Sequence, residues 1–215
     1  MSPETAKSRE TRAKLLDGAL RTLTEQGIAK TSARSVAAAA GVNQALVFYH
    51  FGSLNDLLAA ACRHGAERQV ARYRDRFAGV TSLSGLLALG REIHEEERAA
   101  GHVSRLGQLL AGAQTHESLG RATAAGLDLW IAEIEQVLRR VLPETPFGEF
   151  VDPAGLARAV AASFVGIELY EGADAPGAAA ALDALEQLGR LVAALDDLGP
   201  MAQRAIRHHL RRTRR

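Results

Sequence analysis

Cysteine is nearly missing from this chain: Cys62 is the only one in 215 residues. A single thiol excludes an internal disulfide and leaves too few sulfur ligands for a structural zinc site. Cys62 itself reads as a small, semi-buried apolar side chain. Aromatic residues are scarce, and strand-like alternation of β-branched and aromatic residues is absent. No apolar run approaches the ~18–20 residues that a membrane-spanning helix requires. The charged start, MSPETAKSRETRAK, has no apolar segment behind it, so no secretory leader is expected and a cytoplasmic location is. Motifs of catalysis are missing as well. The chain has no Gly-rich phosphate loop, no GxSxG elbow and no CxxC. His94-Glu95-Glu96-Glu97 lacks the second His of HExxH, because position 98 is Arg. The adjacent His208 and His209 would point about 100° apart on a helix, a poor metal pair. No enzyme activity, metal or cofactor is therefore expected.

What is present is alanine and leucine at helical spacing, within a composition 47% apolar and 24% charged. That balance fits a globular, all-α chain. The first helix is expected to start near Thr5 or Ser8 and to end at Gly27, with Leu16, Leu20 and Leu23 as its apolar stripe. Short helices follow at about 33–40, capped by Ser32, and from a cap at Asn43 to about Tyr49. A long helix is then expected from Ser53 to about Phe77. Further helices are expected at roughly 82–99, 102–114, 117–142, 153–172, 177–197 and 200–213, with an irregular stretch, PETPFGEFVDP (143–153), between the seventh and eighth helices. Ten helices and no sheet result.

Charge is uninformative in sum, +1 at pH 7, but not along the chain. Residues 1–52 hold seven Lys/Arg against four acids, and residues 200–215 hold six Arg and no acid. The remainder carries 13 basic and 21 acidic residues. Two basic ends thus flank an acidic middle, and basic ends are candidate contacts for a polyanion.

The segment 32–51, SARSVAAAAGVNQALVFYHF, meets the demands of a helix-turn-helix. Val36, Ala37 and Ala40 share one face of its first helix, and Val47 and Phe51 share one face of its second, with Val42 between. Gly41 gives the turn its backbone freedom. Packing those faces together leaves Gln44, Ala45, Leu46, Phe48 and Tyr49 pointing partly or wholly outward. An exposed tyrosine on a short helix can donate to a phosphate and lay its ring on sugar or base. Taken alone, the pattern also fits a helical hairpin that only packs within a bundle.

The run Gly27–Ala37, then Ala40-Gly41-Val42, then Phe48-Tyr49-His50-Phe51, closely resembles the TetR/AcrR family of bacterial transcriptional regulators. The resemblance covers about residues 8–67; beyond it only length and helical character match. It implies a three-helix DNA-binding head over 8–67 with its motif at 32–51, an effector-binding and dimerisation body over 68–199, and a basic C-terminal helix or tail over 200–215. By the same resemblance Ser32 and Arg34 would sit by the phosphate backbone, at a helix start that favours anions. Asn43, Gln44, Ala45 and Leu46 would face base edges in the major groove. Gln44 suits adenine there, and Ala45 and Leu46 suit thymine methyl groups. Phe48, Tyr49 and His50 match the family's aromatic-aromatic-His segment, with Tyr49 and His50 toward the backbone. The chain departs from the family at Leu54, where a basic residue usually clamps a phosphate, at Gln44, often Lys, and at Phe48, usually Tyr. The basic residues Lys7, Arg9 and Arg12 are candidates to make up the missing contacts.

The resemblance further implies a homodimer on a pseudo-palindromic double-stranded DNA operator, with half-sites about 34–36 Å apart. Dimerisation would use the helices near 153–172 and 177–197, and a small apolar or amphipathic effector would release a repressor from DNA. Polar or aromatic residues among apolar neighbours make His94, Gln108, Gln114, Trp130, Phe164, Glu168 and Tyr170 the pocket candidates. No membrane partner is expected, and the DNA-bound protein would be nucleoid-associated. Two alternatives stay open: a DNA-binding regulator that needs no ligand, and a helical protein-interaction module that no longer reads DNA.

Overall fold

The computed structural model describes residues 6–196 and 198–213; Thr5, Asp197 and the last two arginines of the basic tail lie outside the described residues. Helices account for almost all of it: α1 (Ala6–Gln26), α2 (Ala33–Ala40), α3 (Ala45–Phe51), α4 (Leu54–Ala78), α5 (Leu83–Ala99), α6 (His102–Ala113), α7 (Glu117–Val141), α8 (Pro153–Glu171), α9 (Ala175–Asp196) and α10 (Pro200–Thr213). These are the ten expected helices, displaced by no more than a residue or two, and no strand occurs among the described residues. Short 3-10 turns lie at Ile28–Lys30 and Leu142–Glu144.

Side-chain caps explain why the short helices start where they do. Ser32 Oγ accepts from the Ser35 backbone N–H at 3.1 Å, while Ser35 Oγ accepts from the Ser32 N–H at 2.9 Å, a reciprocal capping box. Asn43 Oδ1 accepts from the Ala45 N–H at 2.8 Å. Ser53 Oγ accepts from the Asp56 N–H and donates to Asp56 Oδ2. Asp152 accepts from the Gly155 N–H at 2.8 Å and places Pro153 in the first turn of α8. Gly41 closes α2 with φ 66°, a left-handed conformation that L side chains rarely adopt.

The chain divides into two compact units. One runs to Gln69 and takes in Glu97–Leu129; the other comprises Val70–Glu96 and Trp130 onward. The core of the first gathers Leu15, Leu16, Ala19 and Leu23 of α1, Val36 and Ala37 of α2, Val47 of α3, Leu57, Leu58, Ala61 and Cys62 of α4, and Leu109, Leu119 and Ala122. Each fully buried Leu or Val there contributes about 1.5–3 kcal/mol of burial. α1 and α2 meet backbone to backbone: a Cβ placed on Gly18 would lie 2.9 Å from Ala40 Cβ. Ala40 therefore packs closely on α1.

The core of the second unit joins Tyr73, Phe77, Leu86, Leu89 and Ile93 to Ile134, Val137, Leu138, Val141, Leu142 and Ala157. Trp130 leans on Tyr73 and Phe77, with ring centroids 5.8 and 6.3 Å away. Arg140 donates to the carbonyls of Phe77 and Val80 at 2.9 and 3.0 Å, closing the end of α4. Ile167, Ala178 and Leu182 bury the contact of α8 with α9. Among the described residues, no single helix is long and apolar enough to cross a membrane.

Candidate nucleic-acid interface

The outward face of α3 is held by what lies beneath it. Val47 is fully buried, and Leu46, Phe51 and Leu54 are half-buried against the head core. With those positions committed inward, Gln44, Ala45, Phe48 and Tyr49 are left outside, as the spacing requires. Tyr49 is 80% exposed and Phe48 50%, an unusual cost for aromatic rings. His50 is half-buried, its ring edge-on to Tyr49 at 5.0 Å. Asn43 is exposed but spends its side-chain carbonyl on the cap, which leaves its amide as a donor.

Ser32 and Arg34 lie exposed at the start of α2. The Ser32 hydroxyl is engaged in the capping box and fixes the start of α2. Leu54 is half-buried against the core at the start of α4, which accounts physically for an apolar residue there. The Arg12 guanidinium stacks over the Phe51 ring, 4.9 Å from its centroid, and remains exposed at the C-terminal end of α3. Lys7 and Arg9 are exposed on the same helix rather than on a free arm. In the sequence, Arg12 is one of many basic residues near the start; only the packing of α1 on the motif sets it apart.

The seven pocket candidates divide between the two units: Gln108 and Gln114 belong to the first, the other five to the second. Gln108 Oε1 accepts from the Ile28 N–H at 3.2 Å in the first unit, bracing the 3-10 turn after α1. Gln114 is exposed at the end of α6. Trp130 is held in the aromatic contact with Tyr73 and Phe77. Tyr170 is half-exposed and donates to Asp174 Oδ2 at 2.8 Å, a bond to a carboxylate that raises its phenol pKa. His94, Phe164 and Glu168 do come together, across α5 and α8. His94 is buried, with Nδ1 3.9 Å from Glu168 Oε1 and Nε2 3.4 Å from Glu171 Oε2. The Phe164 ring sits against Gly90, one helical turn away. Glu171 was not expected; its spacing of three from Glu168 places both carboxylates on one face of α8.

Residues 15–61 match the sequence model of "Bacterial regulatory proteins, tetR family". A helix-turn-helix transcriptional regulator of Mycobacterium tuberculosis, itself uncharacterised, is 27% identical over 148 residues, 69% of this chain and 76% of its own. The fold is similar to that of a TetR-family transcriptional regulator from Rhodococcus sp., with a TM-score of 0.71 and 22% identity over 86% of this chain and 98% of that one. It is also similar to the multidrug binding protein EbrR in complex with imidazole, with a TM-score of 0.62 and 27% identity over 82% and 93% of the two chains.

Proposed function

The chain belongs to the tetR family of bacterial regulatory proteins and is a DNA-binding transcriptional regulator, and from that premise we propose that it acts as a homodimeric repressor released from a pseudo-palindromic operator by a small apolar or amphipathic ligand. One observation carries the reading: an exposed, aromatic-rich face on α3, held rigid by the buried residues and caps on either side of it. In this reading Gln44, Ala45 and the exposed part of Leu46 meet base edges, with Asn43 beside them. Phe48, Tyr49 and His50, with Ser32 and Arg34 from α2, contact sugar and phosphate. Arg12 supplies a phosphate contact that Leu54 cannot.

The dimer would form through the outer faces of α8 and α9, and each protomer would place its α3 in one of two successive major grooves. α4, at 25 residues, is about 37 Å long by its rise per residue, long enough to transmit a change in the body to the head. The protein would work in the cytoplasm, on the nucleoid when bound to DNA.

The test is recovery of fragmented genomic DNA by the purified protein at about 0.15 M salt, followed by sequencing. An enriched pseudo-palindrome is expected, and Gln44→Ala with Tyr49→Phe should weaken its binding while thermal melts stay unchanged. Recovery of DNA without an enriched sequence, or unchanged affinity in the double variant, would overturn the site.

A further inference from the structure

Two buried polar atoms in the second unit have no hydrogen-bond partner: His94 Nδ1 and Glu168 Oε2. Their side chains are neighbours, 3.9 Å apart at the nearest nitrogen and oxygen. We propose that this cluster is the polar end of a ligand site and takes an organic ammonium ion carrying an apolar tail, a proposal that relies on the effector reading above only for its regulatory meaning.

The chemistry follows from what each atom can accept. A carboxylate only accepts hydrogen bonds, and an imidazole with its proton on Nε2, directed at Glu171, presents Nδ1 as a second acceptor. Acceptors left unbonded inside a protein are costly and rarely without purpose. A group that only donates satisfies both, and an ammonium brings three donors and no acceptor. A hydroxyl would satisfy one acceptor and add lone pairs of its own. A carboxylate ligand would face Glu168 and Glu171 as like charges.

The surrounding charges agree. His94 lies 4% exposed between two glutamates. The cation nearest in sequence on α5, Arg91, is directed toward Asp183 and Glu186 of α9, at 2.5 and 3.0 Å. No group of three or more His, Cys, Asp or Glu among the described residues is placed to hold a metal ion. One turn back on each helix the neighbouring groups are apolar: Phe164 packs against Gly90, and Ile167 is buried on α8. That sequence of surfaces, acceptor pair and then hydrocarbon, fits an alkyl or aralkyl ammonium.

The experiment uses the full chain without DNA. n-Hexylammonium chloride is titrated calorimetrically, with 1-hexanol, sodium hexanoate and potassium chloride as controls, and the His94 ring is followed by nitrogen-15 NMR. Saturable binding of hexylammonium alone is expected, with a displaced His94 Nδ1 resonance. Glu168→Gln should weaken it on the order of tenfold or more. Should that variant melt early, the His94 resonance of the unaltered protein still decides. Equal binding of hexanol or hexanoate, no saturable binding, or an unmoved His94 resonance overturns the proposal. DNA release is assayed separately. Hexylammonium that binds at His94 but leaves DNA bound upholds the site and removes its effector role; no hexylammonium binding, together with another ligand that releases DNA, removes the site and upholds the effector reading.

Discussion

At the scale of single residues, the head separates side chains that hold it together from those it presents. Val47 and Tyr49 are two positions apart, yet one is fully buried and the other almost fully exposed. Arg12 belongs to both sets. Its guanidinium covers Phe51, and its charge stays in solvent beside the end of α3. Arg12→Ala should cost about 0.5–1 kcal/mol in stability through the lost ring contact. If it also contacts a phosphate, the slope of log affinity against log salt should become shallower by about 0.9. DNA-binding isotherms over a salt series check this; an unchanged slope would confine Arg12 to packing.

At the scale of elements, helix contacts are set by small residues and by charge. Gly18 admits α2: an added Cβ would also lie 3.0 Å from the Ala40 nitrogen and the Val36 carbonyl, backbone atoms that cannot turn aside. Gly18→Ala should therefore force α1 and α2 apart and cost about 1–3 kcal/mol, despite alanine's better helix propensity. Thermal denaturation reads this directly, and a more stable variant would refute the close contact. α4 and α5 are joined differently. Arg76 binds Glu96 and Glu92, each at 2.6 Å. The bond from Arg76 lowers the Glu96 pKa below its ordinary 4.5, and the same bond raises that of Arg76. A carboxylate whose folded pKa is lowered stabilises the fold above its unfolded value, and that contribution disappears as pH falls through the folded value. Glu96→Gln should accordingly lower the urea midpoint near about pH 7, with the difference from the parent closing toward about pH 3. A pH-independent difference would assign the loss to packing.

At the scale of the whole molecule, the second unit leaves apolar surface outside. Ile167, Ala178 and Leu182 bury the inner side of the α8–α9 pair, while Leu169, Leu188, Leu191 and Leu195 stay exposed on the outer side, Leu191 at 64%. A stripe of that kind on adjacent helices suits a second copy of the chain. Leu191→Glu should yield a monomer by sedimentation, with the folded state within about 0.5 kcal/mol of the parent. Operator affinity should drop by more than about tenfold as bivalent engagement is lost. A variant that remains dimeric would place the interface elsewhere.

Helix positions and the head's motif were legible in the sequence because they depend on neighbours: a cap three residues from its N–H, a glycine at a turn, apolar residues at helical period. The family resemblance reads the same local pattern in Gly41, Val42 and Tyr49. What the sequence could not order was contact between residues far apart in it. Gln108 and Gln114 looked like pocket residues because they are polar among apolar neighbours, but whether a glutamine braces a turn 80 positions away or faces solvent depends on how helices pack. The same holds for Arg12 over Phe51 and for His94 between two glutamates of α8. Periodicity determines which face of each helix is apolar; only the packing of those faces decides which polar side chains meet, because burial and hydrogen bonding are settled by partners that the local chain does not contain.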